Sequence, residues 1–156
     1  MIAGVDPGRQ GAVCFMSEDS RVAFPFSDLG GEIDLVELRT LLEEYKPKTI
    51  YIEEVHAIFG SSAGATFSFG AGYGSLIGLF VGLQIPFVRI KPKTWQASFF
   101  SLGGKLAPKE RKQRCLKAAK ELFPKENFLA TERSKIPHSG IVDATLLAHY
   151  ALRVYG

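Results

Sequence analysis

A chain of 156 residues, 46% hydrophobic and 22% charged, has room for one domain with a sizeable core and not for two ordinary ones. Two cysteines and no low-complexity tract exclude a disulfide scaffold and a disordered or fibrous chain, and Cys14 and Cys115 lack CxxC spacing, as expected of a reducing compartment. The net charge of +3 hides an asymmetry: residues 1–90 carry six Lys/Arg against eleven Asp/Glu, residues 91–156 thirteen against five. That division suits a polyanion bound beside carboxylates that hold cations, although a solvated charged surface has the same composition.

In chain order, Ile2–Val5 reads as a buried strand ending at Asp6. The turn Pro7-Gly8-Arg9-Gln10-Gly11 leads to a return strand, Ala12–Met16, and Val22–Phe26 is a third. Ile33–Tyr45 has Leu38, Leu41, Leu42 and Tyr45 on one helical face, and Pro47 ends it. Thr49–Glu53 is a short strand with an acid at its end. Glu54 then falls on the opposite face from Glu53. A Gly/Ser-rich loop precedes a helix at Phe69–Gln84, followed by a strand, Pro86–Ile90. A short helix surrounds Trp95, a core residue or loop anchor. Pro108 opens a basic helix, Lys109–Phe123, and Ser139 is placed to cap a last apolar helix, Gly140–Val154. The order predicts a single α/β domain over residues 1–156, with a hairpin meander followed by crossover-connected parallel strands.

Val55 to Val88 carries no formal charge, and Phe67 to Val88 is long enough to cross a bilayer. Gly70, Gly74, Gly78, Gly82 and Pro86 interrupt it, and a span would put Glu53 and Asp143 on opposite sides. No membrane association is expected. The chain opens on Ile2-Ala3-Gly4-Val5 rather than a signal-like segment, which places the expected site of action in the cytoplasm. The four glycines recur every fourth residue along one helix face. Each weakens the helix by about 1 kcal/mol relative to Ala, which calls for close packing either on the sheet or on a second copy.

Three acids stand in unusual places: Asp6 and Glu53 end apolar strands, and Asp143 lies early in an apolar helix. Singly they read as a turn former, a solvated strand end and a helix-dipole complement. Together, at one end of a sheet, they would make an oxygen-ligand site for Mg²⁺ or Mn²⁺. Lys109, Arg111, Lys112, Arg114, Lys117 and Lys120 crowd the basic helix against only Glu110 and Glu121. With Lys105 they form a candidate phosphate-tracking surface, led by Lys109 and Lys112.

Asp6 in GVDPGRQG, Glu53 in IYIEEVHA, KPKTW around Trp95 and HSGIVDATLLAHYA around Asp143 resemble, in that order, the RuvC-like Holliday-junction resolvases over nearly the whole chain. The resemblance implies an RNase H-like fold with a mixed five-stranded sheet flanked by helices, a homodimer, and paired symmetrical nicking of four-way junction DNA. It also implies Asp6, Glu53 and Asp143 as ligands of two Mg²⁺ ions, for which Mn²⁺ could substitute, with no nucleotide cofactor. Two positions depart from the bacterial pattern. Where that pattern has a second aspartate, three residues before the last, this chain has Gly140; the substitute is His138, as metal ligand or proton shuttle. Where it has a junction-wedging aromatic, this chain has His56, with Phe59 near. These residues either stack on an unpaired base or pack beneath the loop.

Overall fold

The computed structural model describes residues 1–55, 62–103 and 106–156. Three antiparallel strands, β1 (Ile2–Asp6), β2 (Ala12–Met16) and β3 (Arg21–Pro25), form the meander. A two-residue-per-strand hairpin, β4 (Asp28–Leu29) and β5 (Glu32–Ile33), turns at Gly30 and Gly31, both at positive φ. The Gly-Gly pair is a readable hairpin signal that the helix pattern beyond it obscured. Helix α1 (Leu35–Tyr45) starts later than the periodicity predicts, because Asp34 is its cap and accepts from the Val36 and Glu37 N–H groups at 3.0 Å. It stops at Lys46, which takes the left-handed conformation before Pro47.

Strand β6 (Ile50–Glu53) pairs parallel with β1, and helix α2 (Ala63–Gly82) crosses over to β7 (Phe87–Ile90), parallel with β6. The sheet order is β3-β2-β1-β6-β7. Helix α2 begins at Ala63 rather than Phe69: Ser62 caps it, accepting from Ala65 N–H at 3.2 Å, and a stretch that composition marks as loop is wound into helix. Helices α3 (Pro92–Gln96), α4 (Pro108–Leu122) and α5 (Ser139–Tyr155) complete the chain, with Pro at N1 of α3 and α4.

Strand alternation divides the core in two. Ala3, Val5, Val13, Phe15, Ile50 and Ile52 face α1 and α2. Ile2, Cys14, Met16, Tyr51 and Ile90 face α3, α4 and α5. Helix α5 lies directly on β1 because of Gly4: a Cβ there would stand 2.6 Å from Ala148 N and 2.8 Å from Ala148 Cβ. Any larger residue would lift the helix that carries Asp143 away from the strand that carries Asp6.

Candidate active site

Asp6 and Glu53 are the last residues of neighbouring parallel strands, in register one step beyond the Val5–Ile52 pair. Asp6 has the parity of Gly4, which abuts α5, and Glu53 that of Tyr51. Both acids therefore point toward the layer of α4 and α5. Asp143 enters from the start of the second turn of α5, one residue deeper than expected, because the helix begins at Ser139.

Each carboxyl is pushed above its ordinary range, first by burial. Asp6 rises to about 6, with the Gly8 N–H, 3.1 Å from Oδ1, and the Lys112 charge opposing. Glu53 rises to about 8, with Asp6 and Asp143 adding repulsion. Asp143 rises to about 7, with Asp6 adding to burial and the Cys115 thiol, Arg111 and Lys112 opposing. Among the described residues no salt bridge reaches any of the three, and no three His, Cys, Asp or Glu side chains close on a single point as a ready-made ion cage. The set nevertheless fits a hard divalent cation. It offers oxygen donors whose mutual repulsion and desolvation an ion between them would relieve.

Glu54 follows β6 on the other parity, its N–H donating to the Ile90 carbonyl at 2.8 Å. His138 is the N-cap of α5, the role expected of Ser139: its Nδ1 accepts from Ile141 N–H at 3.3 Å. That bond leaves the ring proton on Nε2. The segment before it is pinned by Arg21, which pairs with Glu126 at 2.6 Å and lies over the Phe123 and Phe128 rings. His138 N–H then donates to the Phe128 carbonyl at 2.7 Å. Burial lowers the His138 pKa, and His138 is not among the groups that shift the three carboxylates.

Gly140 has a steric reason. A Cβ there would overlap the Gln10 carbonyl oxygen and stand 2.8 Å from Gly11 Cα. A fourth acid at that position is excluded by the turn after Asp6.

Of the basic residues in α4, Arg111 and Lys112 are those whose charge reaches the acids. Lys109 is exposed and makes no such contribution. Arg114 is bound to the Ser101 carbonyl at 2.8 Å and to Glu110 at 2.7 Å. His56, Phe59 and Lys105 lie outside the described residues. Two neighbours of the acids escaped sequence reasoning. The Trp95 indole N–H donates to Glu53 Oε2 at 3.0 Å, and the buried Cys115 thiol bonds Asp143. Neither residue type signals such a role by spacing.

The raised carboxylates make stability fall with pH. Their ordinary values of 3.8 to 4.5 govern the unfolded chain and about 6 to 8 the folded one, so between those limits the folded chain holds more protons and loses stability as pH rises. Asp28, His138 and His149 are shifted downward and act the other way, so a difference isolates the effect. With chelator present, Glu53→Gln is expected to melt on the order of 5 °C above wild type at pH 8.5 and close to it at pH 4.5. A pH-independent gap in calorimetry would contradict the rise of Glu53 by burial and by its acidic neighbours.

No family model and no curated protein matches the chain. Solved structures do. Thermus thermophilus RuvC in complex with a Holliday junction substrate superposes with a TM-score of 0.61 at 14% identity, covering 97% of this chain and 94% of that one. A second Thermus thermophilus RuvC structure gives 0.58 at 14%, covering 97% and 95%. The yeast mitochondrial Holliday junction resolvase gives 0.57 at 20%, covering 97% and 77%. With the mixed sheet order and the helices on both faces, these likenesses establish the architecture. The chain has the RNase H-like fold in the form built by the RuvC resolvases.

Proposed function

We propose that the protein is a Mg²⁺-dependent, structure-selective endodeoxyribonuclease that resolves four-way DNA junctions by paired nicks as a homodimer. The observation that carries this reading is the placement of Asp6 and Glu53 at adjacent strand ends of a RuvC-type sheet, on the face covered by α5, near enough to Asp143 that acidic neighbours add to burial in raising Glu53 and Asp143. The neighbour bound to a Holliday junction substrate supports DNA as the partner.

Asp6, Glu53 and Asp143 would hold the ions, Mg²⁺ or Mn²⁺. Bound there, such ions supply Lewis acidity, an activated water and neutralisation of the leaving 3′ oxygen. The protein's own groups do the rest. The Gly8 N–H fixes Asp6, and the α5 register on Gly4 fixes Asp143 opposite it. Arg111 and Lys112 attract and orient the phosphate without pairing with the carboxylates. His138, neutral with its proton on Nε2, is suited to donate a hydrogen bond to a phosphate oxygen. Delivering a proton to the leaving oxygen would first require protonation at Nδ1, and ligating a metal through Nε2 would require moving the proton to Nδ1; either gives up the cap bond from Ile141 N–H.

The test is incubation of end-labelled four-way junction, linear duplex and RNA–DNA hybrid with the protein, with and without Mg²⁺. The expected result is symmetrical nicks on the junction alone, leaving 5′-phosphate and 3′-hydroxyl ends. Preferential cutting of the hybrid would reassign the protein to another RNase H-like activity. Binding without cutting would make it a junction-binding protein. In the same system, replacing both Arg111 and Lys112 by Ala should flatten the plot of log affinity against log salt by about 1.8, at about 0.9 for each lost phosphate contact. An unchanged slope would remove α4 from the DNA surface.

A further inference from the structure

We propose that Trp95 is a positioning residue for Glu53, holding one carboxylate oxygen so that the other is presented to a divalent ion. The assignment rests on the metal reading above and deepens it.

Trp95 is fully buried, and its indole N–H, which can only donate, meets Glu53 Oε2 at 3.0 Å. The ring has little freedom to swing away. It sits in the short helix α3 begun by Pro92 and packs edge-to-face on Phe99 at 6.3 Å, and Phe99 in turn lies 6.1 Å from the His149 ring on α5. The donor is thus carried by the same layer that carries Asp143.

A buried indole needs some acceptor, and a backbone carbonyl would serve that need. A carboxylate already repelled by two others is a costly acceptor for mere satisfaction, but a sensible one for orientation. The charge of the donor matters too. Lys or Arg would orient Glu53 equally well, yet would compete with a cation for its charge. A neutral N–H fixes the geometry and leaves the negative charge available. With one Oε2 lone pair engaged, Glu53 is biased toward binding through Oε1. That suits Mn²⁺ or Mg²⁺, with their regular six-fold shells, better than Ca²⁺, which readily takes carboxylates through both oxygens.

Trp95 is the chain's single tryptophan, so it can be replaced uniquely. Benzothienylalanine keeps the bicyclic shape and substitutes sulfur for the N–H, while 5-fluorotryptophan keeps the N–H. Metal binding without DNA would be followed by the electron paramagnetic resonance of free Mn²⁺ and by competition with Ca²⁺. The full-length wild type, Glu53→Gln, Trp95→Phe and the two analogues would be compared. Glu53→Gln should lose the site. The sulfur analogue and Trp95→Phe should bind Mn²⁺ roughly 10-fold or more weakly, the scale of losing a group that orients a metal ligand, with a smaller loss for Ca²⁺. The fluoro analogue should match wild type. If Trp95→Phe unfolds, the isosteric sulfur analogue decides. Wild-type Mn²⁺ affinity in that analogue, or equal losses for both ions, overturns the assignment while leaving the metal site standing. No Mn²⁺ binding by wild type, or none lost in Glu53→Gln, overturns the metal reading itself and this assignment with it.

Discussion

Asp6→Asn and Asp143→Asn are each expected to abolish strand cutting while junction affinity stays near wild type. The amide keeps the shape of the side chain and an oxygen that still accepts the Gly8 N–H bond seen at Asp6. It removes the negative charge on which a hard cation depends. Charge stabilisation by bound ions contributes several kcal/mol to the transition state, and each 1.36 kcal/mol is a factor of ten. The loss should therefore be about 10³-fold or more in single-turnover cleavage. Folding should not suffer. Both residues are carboxyls held above their ordinary range by burial, with Asp6 adding repulsion at Asp143, so neutralising either should raise the melting temperature without metal at pH 8. Inactivity together with a gain in stability is the signature of a site built for function. Loss of both folding and cutting would instead make these carboxyls structural, and retained cutting would remove the residue from the site.

What could be read from residues alone was whatever strand periodicity controls. Asp6 and Glu53 close apolar runs of the same kind, and parallel pairing one register step before them brings the two side chains to one face. Glu54 is sent to the other face by the same alternation. What escaped depends on a third element arriving. Ser139 looks like the better cap, but the chain bends one residue earlier, where the Phe128 carbonyl holds the His138 N–H. Gly140 reads as a missing acid, and only the nearness of the Gln10–Gly11 backbone reveals it as a forced glycine. Trp95 and Cys115 are apolar-looking residues whose polar atoms find acids distant in sequence. The early start of α2 was hidden by composition: glycine and serine imply loop, while the capped helix they form lies mostly exposed with an apolar outer face.

That outer face leads to the second large effect: Gly78→Leu is expected to give a well-folded, somewhat more stable monomer that no longer makes paired cuts. Leu76 and Phe80 of α2 are buried against the sheet, with Tyr73 and Ile77 partly so. Opposite them, a Cβ at Gly70, Gly74, Gly78 or Gly82 would meet nothing within 4 Å among the described residues, and Phe67 and Val81 stand 78% and 62% exposed. Packing on the protein's own sheet therefore does not explain the glycines. Each weakens the helix by about 1 kcal/mol relative to Ala, and an uncharged apolar face is a poor surface to leave in water. By length and composition α2 could cross a membrane. It is, however, the crossover between two hydrogen-bonded parallel strands, with its inner side packed on their sheet, so spanning a bilayer would dismantle the fold. We propose a second copy as the cover: small residues let two helix backbones approach, and a two-fold dimer sets one active site on each of two symmetry-related junction strands. In the isolated chain a leucine at 78 has open space and a better helix propensity, so melting should move upward. At the dimer it would meet the partner's helix. Sedimentation should then show a monomer, and nicks on the two junction strands should become uncoupled. A wild type that stays monomeric even on junction DNA, or a Gly78→Leu protein that still dimerises and pairs its cuts, would remove α2 from the interface.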